Sequence, residues 1–353
     1  RVGYYEVFTP GVTPFKRGTA LDAIRIAADG VPTLTVADPA PIHVPIVGIG
    51  HDDPSRTRFW GSVVLDFREG RRVPLPSVAP DARILSVSTA PAAEVRFERD
   101  SADNLHAVVD ASPSSPVRLT FLMDAPKSYF NTVLPDVPTD VLASHVHPMP
   151  PALERAALGF ARELGVQRGD PLPFALSALV EHFRSFGESE RPPADTNDIF
   201  LDLARGGVGV CRHRAYAFVI TAHALGIPAR YVQNEAHAWA EVELGDGGFM
   251  RIDLGGSAAG LDAHGLADRP LYRPELPDPL PRPPAYEQAM RASGAERETQ
   301  ARSAATAATR PASSSPEPSA RGERLRVEVE RRIRQAYRGR ALDLRGRVVA
   351  SNG

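Results

Sequence analysis

Residues 211–254 leave a folding chain few options. Cys211, Ala215, Phe218, Ala222 and Leu225 fall at i, i+4, i+7, i+11 and i+14, one apolar stripe of a helix. Gly226 stands where a helix C-cap belongs, and Pro228 stops continuation. The period then switches to two. Ala238-Trp239-Ala240-Glu241-Val242-Glu243-Leu244 alternates, Gly245-Asp246-Gly247-Gly248 is a turn, and Phe249-Met250-Arg251-Ile252-Asp253-Leu254 alternates again. The segment predicts a helix on an antiparallel hairpin, with His237 at the start of the first strand and Asp253 near the end of the second. An odd-length loop or a bulge would bring Asp253 beside His237 on one face. A plain two-residue Asp246-Gly247 turn would set Asp253 opposite Ala240 instead. The sequence leaves that register open.

Upstream, residues 31 to about 125 hold short apolar runs broken by turn residues. They are 33–36, 43–47, 61–67, 82–87, 94–97, 106–109 and 117–121. Such spacing predicts a β-sandwich-like domain over residues 1–135. Residues 20–28 read as a helix or an edge strand. From 151 the spacing turns helical, predicting helices over 151–165 and 172–186 and a short one over 199–204 that leads into the glycine-rich run 206–210. These belong with the helix and hairpin in a core over 136–268. Residues 269–322 are rich in Pro, Ala and Ser, with few large apolar groups, and predict a largely disordered linker. Leu325, Val329, Ile333 and Tyr337 make one stripe of an Arg-rich amphipathic helix over 323–340. Residues 341–353 alternate and end in Asn-Gly, like the start of a further β-domain.

Composition excludes several functions. Net charge is −2, which gives no electrostatic case for nucleic acid. No run of about 18 apolar residues is present, so no segment of this chain is expected to span a membrane. One cysteine rules out a disulfide framework and a multi-cysteine zinc site. His145 and His147 share a face if extended, without an acidic or cysteine cluster beside them, so no metal is expected. No phosphate-binding glycine motif is present, and no cofactor is expected. The chain starts with Arg, not Met; with its β-domain, this suggests one module of a larger exported or envelope-associated protein.

Cys211 opens its helix, beside unpaired backbone N–H groups and the positive end of the dipole, where thiolate is favoured. The glycines before it let another segment come close and let backbone amides aim at a reacting oxygen, with Gly209 and Val210 as candidates for site wall or substrate contact. A free cysteine is as a rule an inert buried residue, and that reading stands beside the reactive one. If the hairpin brings Asp253 to His237, the roles follow: Asp253 orients His237, and His237 takes the Cys211 proton and returns it to a leaving amine. Trp239 either walls the site or packs in the core. Arg212-His213-Arg214 reads as the exposed start of a helix, or as recognition of an acidic substrate. His213 and His223 read as helix-surface residues.

Four blocks together, Gly209-Val210-Cys211, Gly226-Ile227-Pro228-Ala229-Arg230-Tyr231-Val232, His237-Ala238-Trp239-Ala240-Glu241-Val242 and Ile252-Asp253-Leu254, resemble the transglutaminase-like superfamily over about 150–258. The resemblance implies a papain-like α+β fold with Cys211, His237 and Asp253 as nucleophile, base and orienter. It implies acyl transfer on amide bonds through a thioester. Hydrolysis by a peptidase, amidase or deamidase is expected, on a protein or peptide substrate. Protein crosslinking and a non-catalytic peptide-binding or assembly module are the other readings.

Overall fold

The computed structural model describes residues 16–50, 53–187, 196–234, 237–245, 247–255, 280, 325–329 and 346–350. The chain divides into two units, Arg1–Met290 and Arg291–Gly353. The first opens with ten strands: β1 (Thr19–Leu21), β2 (Ala23–Ile26), β3 (Pro32–Thr35), β4 (Ile42–Val44), β5 (Arg56–Leu65), β6 (Arg72–Pro74), β7 (Arg83–Ala90), β8 (Arg96–Arg99), β9 (Leu105–Val108) and β10 (Val117–Pro126). Two antiparallel sheets, ordered β5-β10-β7 and β4-β8-β9-β6, enclose one core built on Phe59, Phe97, Leu119, Phe121 and Met123. Period-two alternation put these side chains on inner faces. The expected runs were shorter than the strands: β5 and β10 pair over ten positions each, because a paired ladder extends through polar residues that apolar patterning skips.

The helical half follows. It comprises α1 (Lys127–Phe130), α2 (Pro151–Glu163), α3 (Leu172–Arg184), α4 (Ile199–Arg205) and α5 (Cys211–Leu225), then β11 (Ala229–Gln233), β12 (Ala238–Glu243) and β13 (Phe249–Ile252). Asp198 caps α4, accepting from the Leu201 N–H. The sheet order is β1-β11-β12-β13. Its edge strand β1 comes from the stretch 20–28 whose sequence suits a helix or an edge strand. Strand wins because Ala20 packs with Val232 and Trp239 while Ala20 N–H and C=O both bond Asn104.

α5 is buried on nearly every side, not along one stripe. Ala217, Val219, Ile220, Thr221, Ala224 and His223 are as hidden as the predicted positions. A helix sandwiched between α2, α3 and α4 and the sheet keeps solvent only at its first turns, where Arg212 is exposed. His223 is thus not a surface residue. It is 3% exposed, its Nε2 lies 2.6 Å from the Ala229 carbonyl, and burial holds its pKa down near 4.

Gly226 ends α5 at φ 88°, and a Cβ there would sit 3.0 Å from Asp140 Cα. A Gly226→Ala change meets both left-handed strain, about 1–2 kcal/mol, and a backbone contact. It is expected to lower Tm by roughly 3–8 °C, measured by thermal melting; an unchanged Tm would contradict the close approach.

In the second unit, Leu325–Val329 is a strand, β14, paired antiparallel with β15 (Gly346–Ala350). This corrects the helix expected over 323–340 at its start: Leu-Arg-Val-Glu-Val alternates with period two and is β-branched. The remainder, 330–340, lies outside the described residues, as does nearly all of 269–322. Among the described residues, no helix is long and apolar enough to cross a membrane.

Candidate active site

Cys211 is the first residue of α5, and His237 directly precedes β12. The stretch joining β11 to β12 is pinned by Asn234. Its Oδ1 accepts the His237 N–H at 2.8 Å, its own N–H donates to the His237 carbonyl at 2.9 Å, and its Nδ2 donates to the Lys16 carbonyl. His237 is therefore held at the sheet end by a local side-chain turn.

The open register is resolved by an odd-length loop. Glu243 pairs with Phe249 and Ala240 with Ile252, so residues 244–248 form the connection. With that register, odd-numbered residues on both strands share a face. His237 Nε2 donates to Asp253 Oδ2 at 2.9 Å. The other ring nitrogen, Nδ1, is buried and has no hydrogen-bond partner among the described residues. The Cys211 thiol lies close enough for the imidazole to act on its ionisation.

The charges follow from these contacts. Burial pushes the Cys211 thiol up. Interaction with His237, together with the Ala238 and Arg212 N–H groups, outweighs burial and holds the thiol below its ordinary value. Burial would lower His237, but the Asp253 carboxylate and the thiol raise it to about 9. Burial would raise Asp253; His237, Arg251 and the Gly255 N–H hold it well below the carboxylate range. The arrangement favours a thiolate–imidazolium pair next to a carboxylate.

Trp239 is fully buried, and its ring stacks on His237 with centroids 6.1 Å apart and planes 25° from parallel. Arg251 covers the indole at 4.1 Å and reaches Asp253 Oδ2 at 3.4 Å. A cation on an indole and beside a carboxylate is favourable twice over.

The Arg212-His213-Arg214 cluster splits three ways. Arg212 is exposed. His213 turns back, so that its Nδ1 accepts the Val210 N–H at 3.4 Å. A Cβ on Gly209 would lie 3.0 Å from His213 Cβ, so a glycine is needed there. Arg214 is not an exposed helix start; it is 3% exposed. Its guanidinium donates to the carbonyls of Gly209 (2.9 Å), Phe186 (2.8 Å) and Leu254 (3.0 Å). Arg184 Nε donates to the Asp253 carbonyl at 2.8 Å. Arg214 thus ties the backbone beside Asp253 to the helix bearing Cys211, and Arg184 ties it to α3. Arg251 was legible, since it is two residues before Asp253 on a period-two strand and shares its face. Nothing in the sequence flags Arg184 or Arg214, whose acceptors are distant backbone carbonyls.

His145 Nδ1 lies 2.9 Å from Glu243, and His147 Nε2 lies 3.8 Å from Asp22. The two histidines face different carboxylates. Among the described residues, no group of three His, Cys, Asp or Glu is arranged to hold a metal.

No curated protein matches the chain. Among solved structures, the periplasmic domain of TgpA from Pseudomonas aeruginosa is 17% identical, with 67% of this chain and 82% of that chain covered and a TM-score of 0.39. The same domain bound to ethylmercury is 16% identical, with 71% and 90% covered and a TM-score of 0.40. A protein from Cytophaga hutchinsonii is 17% identical, with 59% and 81% covered and a TM-score of 0.31. The family model of the transglutaminase-like superfamily matches residues 160–254, the stretch from α2 to the end of the hairpin. In those residues this chain carries a transglutaminase-like superfamily core.

Proposed function

We propose that this chain is a cysteine-dependent acyl-transfer enzyme acting on amide bonds of a peptide or protein, with hydrolysis as its reaction. The observation that carries the reading is the 2.9 Å bond between His237 and Asp253, with the Cys211 thiol close enough for the same imidazole to act on it. The Cys211 sulfur, as thiolate, attacks the carbonyl carbon and forms the C–S bond. The carbonyl oxygen gains the electron pair and faces the Cys211 N–H, which as the first residue of α5 has no intrahelical acceptor. His237 gives its proton to the departing amine as the C–N bond breaks, leaving a thioester. His237 then takes a proton from water, the hydroxide attacks the thioester, and the thiolate leaves. Asp253 remains ionised throughout and holds the ring. Its side chain is 38% exposed, so water reaches the site from that side. This supports water over an amine as acceptor.

A peptide-library cleavage assay comparing wild type with Cys211→Ala tests the reading. Cleavage by the wild type that falls by about 10³-fold or more in the variant is expected. Equal activity in both would remove Cys211 from the chemistry. Adding a primary amine to the trapped thioester separates the two acceptors. Release as free acid at millimolar amine is expected, and quantitative amide formation would instead assign crosslinking.

A further inference from the structure

The backbone ahead of Cys211 can be accounted for group by group. The Gly187 N–H donates to the Gly207 carbonyl at 2.9 Å, and the Gly209 N–H donates to the Gly187 carbonyl at 2.8 Å. These bonds make a parallel bridge between Gly187 and Val208. The Gly209 carbonyl accepts from Arg214. The Val210 N–H goes to His213, and its carbonyl accepts from the N–H groups of His213 and Arg214. Val208 differs from Gly209 and Val210, whose N–H and C=O groups are all bonded. In a parallel bridge the central residue, here Val208, turns its own N–H and C=O away from its partner. Gly207 and Gly209 aim at Gly187, so Val208 aims away. Among the described residues neither its N–H nor its C=O has a partner, and Val208 is 40% exposed. An exposed donor and acceptor side by side, on a residue already held in a β-bridge, form a short strand edge.

We propose that Val208 forms a one-residue β-bridge with the extended acyl portion of a peptide substrate and so holds the chain whose carbonyl Cys211 attacks. The proposal rests on the acyl-transfer reading and adds the mode of substrate binding. Val208 lies three positions before Cys211, a span of at most about 10 Å. A substrate strand rises about 3.3 Å per residue. The paired substrate residue therefore stands two or three residues before the attacked carbonyl. The acyl portion stays attached through both halves of the reaction, so it is the part that needs holding. Main-chain bonds read no side chain, so the pairing tolerates any residue that keeps its N–H. Each bond is worth roughly fivefold in affinity.

Acetyl-alanine chloromethyl ketones of one to four residues test the pairing. They alkylate the thiolate, forming a C–S bond as chloride leaves, and need no acceptor. kinact/KI is expected to rise about tenfold or more on adding the residue that reaches Val208. It should fall back when that residue alone is N-methylated. Val208→Pro, which lacks the N–H, should lose the step. The N-methyl scan uses the unaltered protein, so it decides even if the proline variant does not fold. A rate flat in peptide length, with no N-methyl-sensitive residue, overturns the pairing. Iodoacetamide on the same samples reads the Cys211 thiolate alone. Normal alkylation with a flat length series leaves the catalytic reading intact, whereas an unreactive thiol overturns both.

Discussion

Replacing His237 with alanine is expected to slow turnover by about 10³-fold or more and to return the Cys211 thiol to, or above, its ordinary range. The sign follows from the balance at the sulfur. Burial raises the thiol, and interaction with His237 lowers it by more. Alanine removes the lowering influence and leaves the raising one. A thiol of pKa ~8.5 is about one per cent ionised at pH 6.5. Alkylation by iodoacetamide at that pH should therefore drop at least tenfold in the variant, while the two proteins converge in alkaline solution. In wild type, thiolate reactivity should persist below the ordinary thiol range. Turnover should fall as pH rises through about 9, where His237 loses the proton it owes the leaving amine. Stability obeys the same groups. His237 is raised from 6.5, so its contribution is complete below that pH and gone above about 9. Asp253 is depressed from 3.8, so its contribution is present above that pH and lost as acid protonates it. The pair supports the fold most between about pH 4 and 6.5. Identical alkylation profiles for wild type and His237→Ala would show that the imidazole does not act on the sulfur.

Much of this site can be read from residue order, because local patterns carry it. The 3.6 period and the Gly226 cap give α5 its limits, and the period-two runs give the hairpin. What local pattern could not supply was register. The distance between His237 and Asp253 depends on whether residues 244–248 make an odd or an even loop, and a run of Gly and Asp suits both. The same limit hid the roles of buried polar groups. Arg214 follows Arg212 and His213 in a run that looks solvated, yet it is buried because three carbonyls from separate segments converge on it. His223 occupies a helix position off the predicted stripe, and only the packing of α2, α3 and α4 shows that α5 beyond its first two turns is buried all round. Leu325–Val329 shows the converse error: five residues fitted both a helical stripe and a strand alternation, and pairing with β15 decided between them.

Glu241→Ala is expected to be among the most destabilising single changes in the chain. Glu241 lies on β12, two residues beyond Trp239 and four beyond His237, on the same face of the strand. Its Oε1 accepts from Arg17 Nε at 2.8 Å and its Oε2 from Arg17 Nη2 at 3.1 Å, with side chains 0% and 1% exposed. The Tyr129 hydroxyl donates to the same carboxylate at 2.8 Å. Burial and Glu241 hold that hydroxyl protonated, well above the ordinary tyrosine value. Trp239 Nε1 donates to the Tyr129 oxygen at 3.2 Å. Arg17 also donates to the carbonyls of Ala102 and Asp103, at 2.6 Å each. The network therefore joins the catalytic sheet to the turn between β8 and β9, beneath the indole that backs His237. Removing the carboxylate leaves a guanidinium out of water with only carbonyls to face, which costs about 3–5 kcal/mol. The paired replacement Arg17→Met with Glu241→Leu removes both charges and should recover most of that loss, because the cost lies in the uncompensated ion. Urea denaturation of the two single variants and the double variant measures the coupling. The catalytic consequence runs through position: a loosened Tyr129–Trp239 contact lets His237 drift, so kcat should fall more than KM rises at temperatures where Glu241→Ala is still folded. A Glu241→Ala midpoint equal to wild type would mean the buried ion pair does not hold β12 in place.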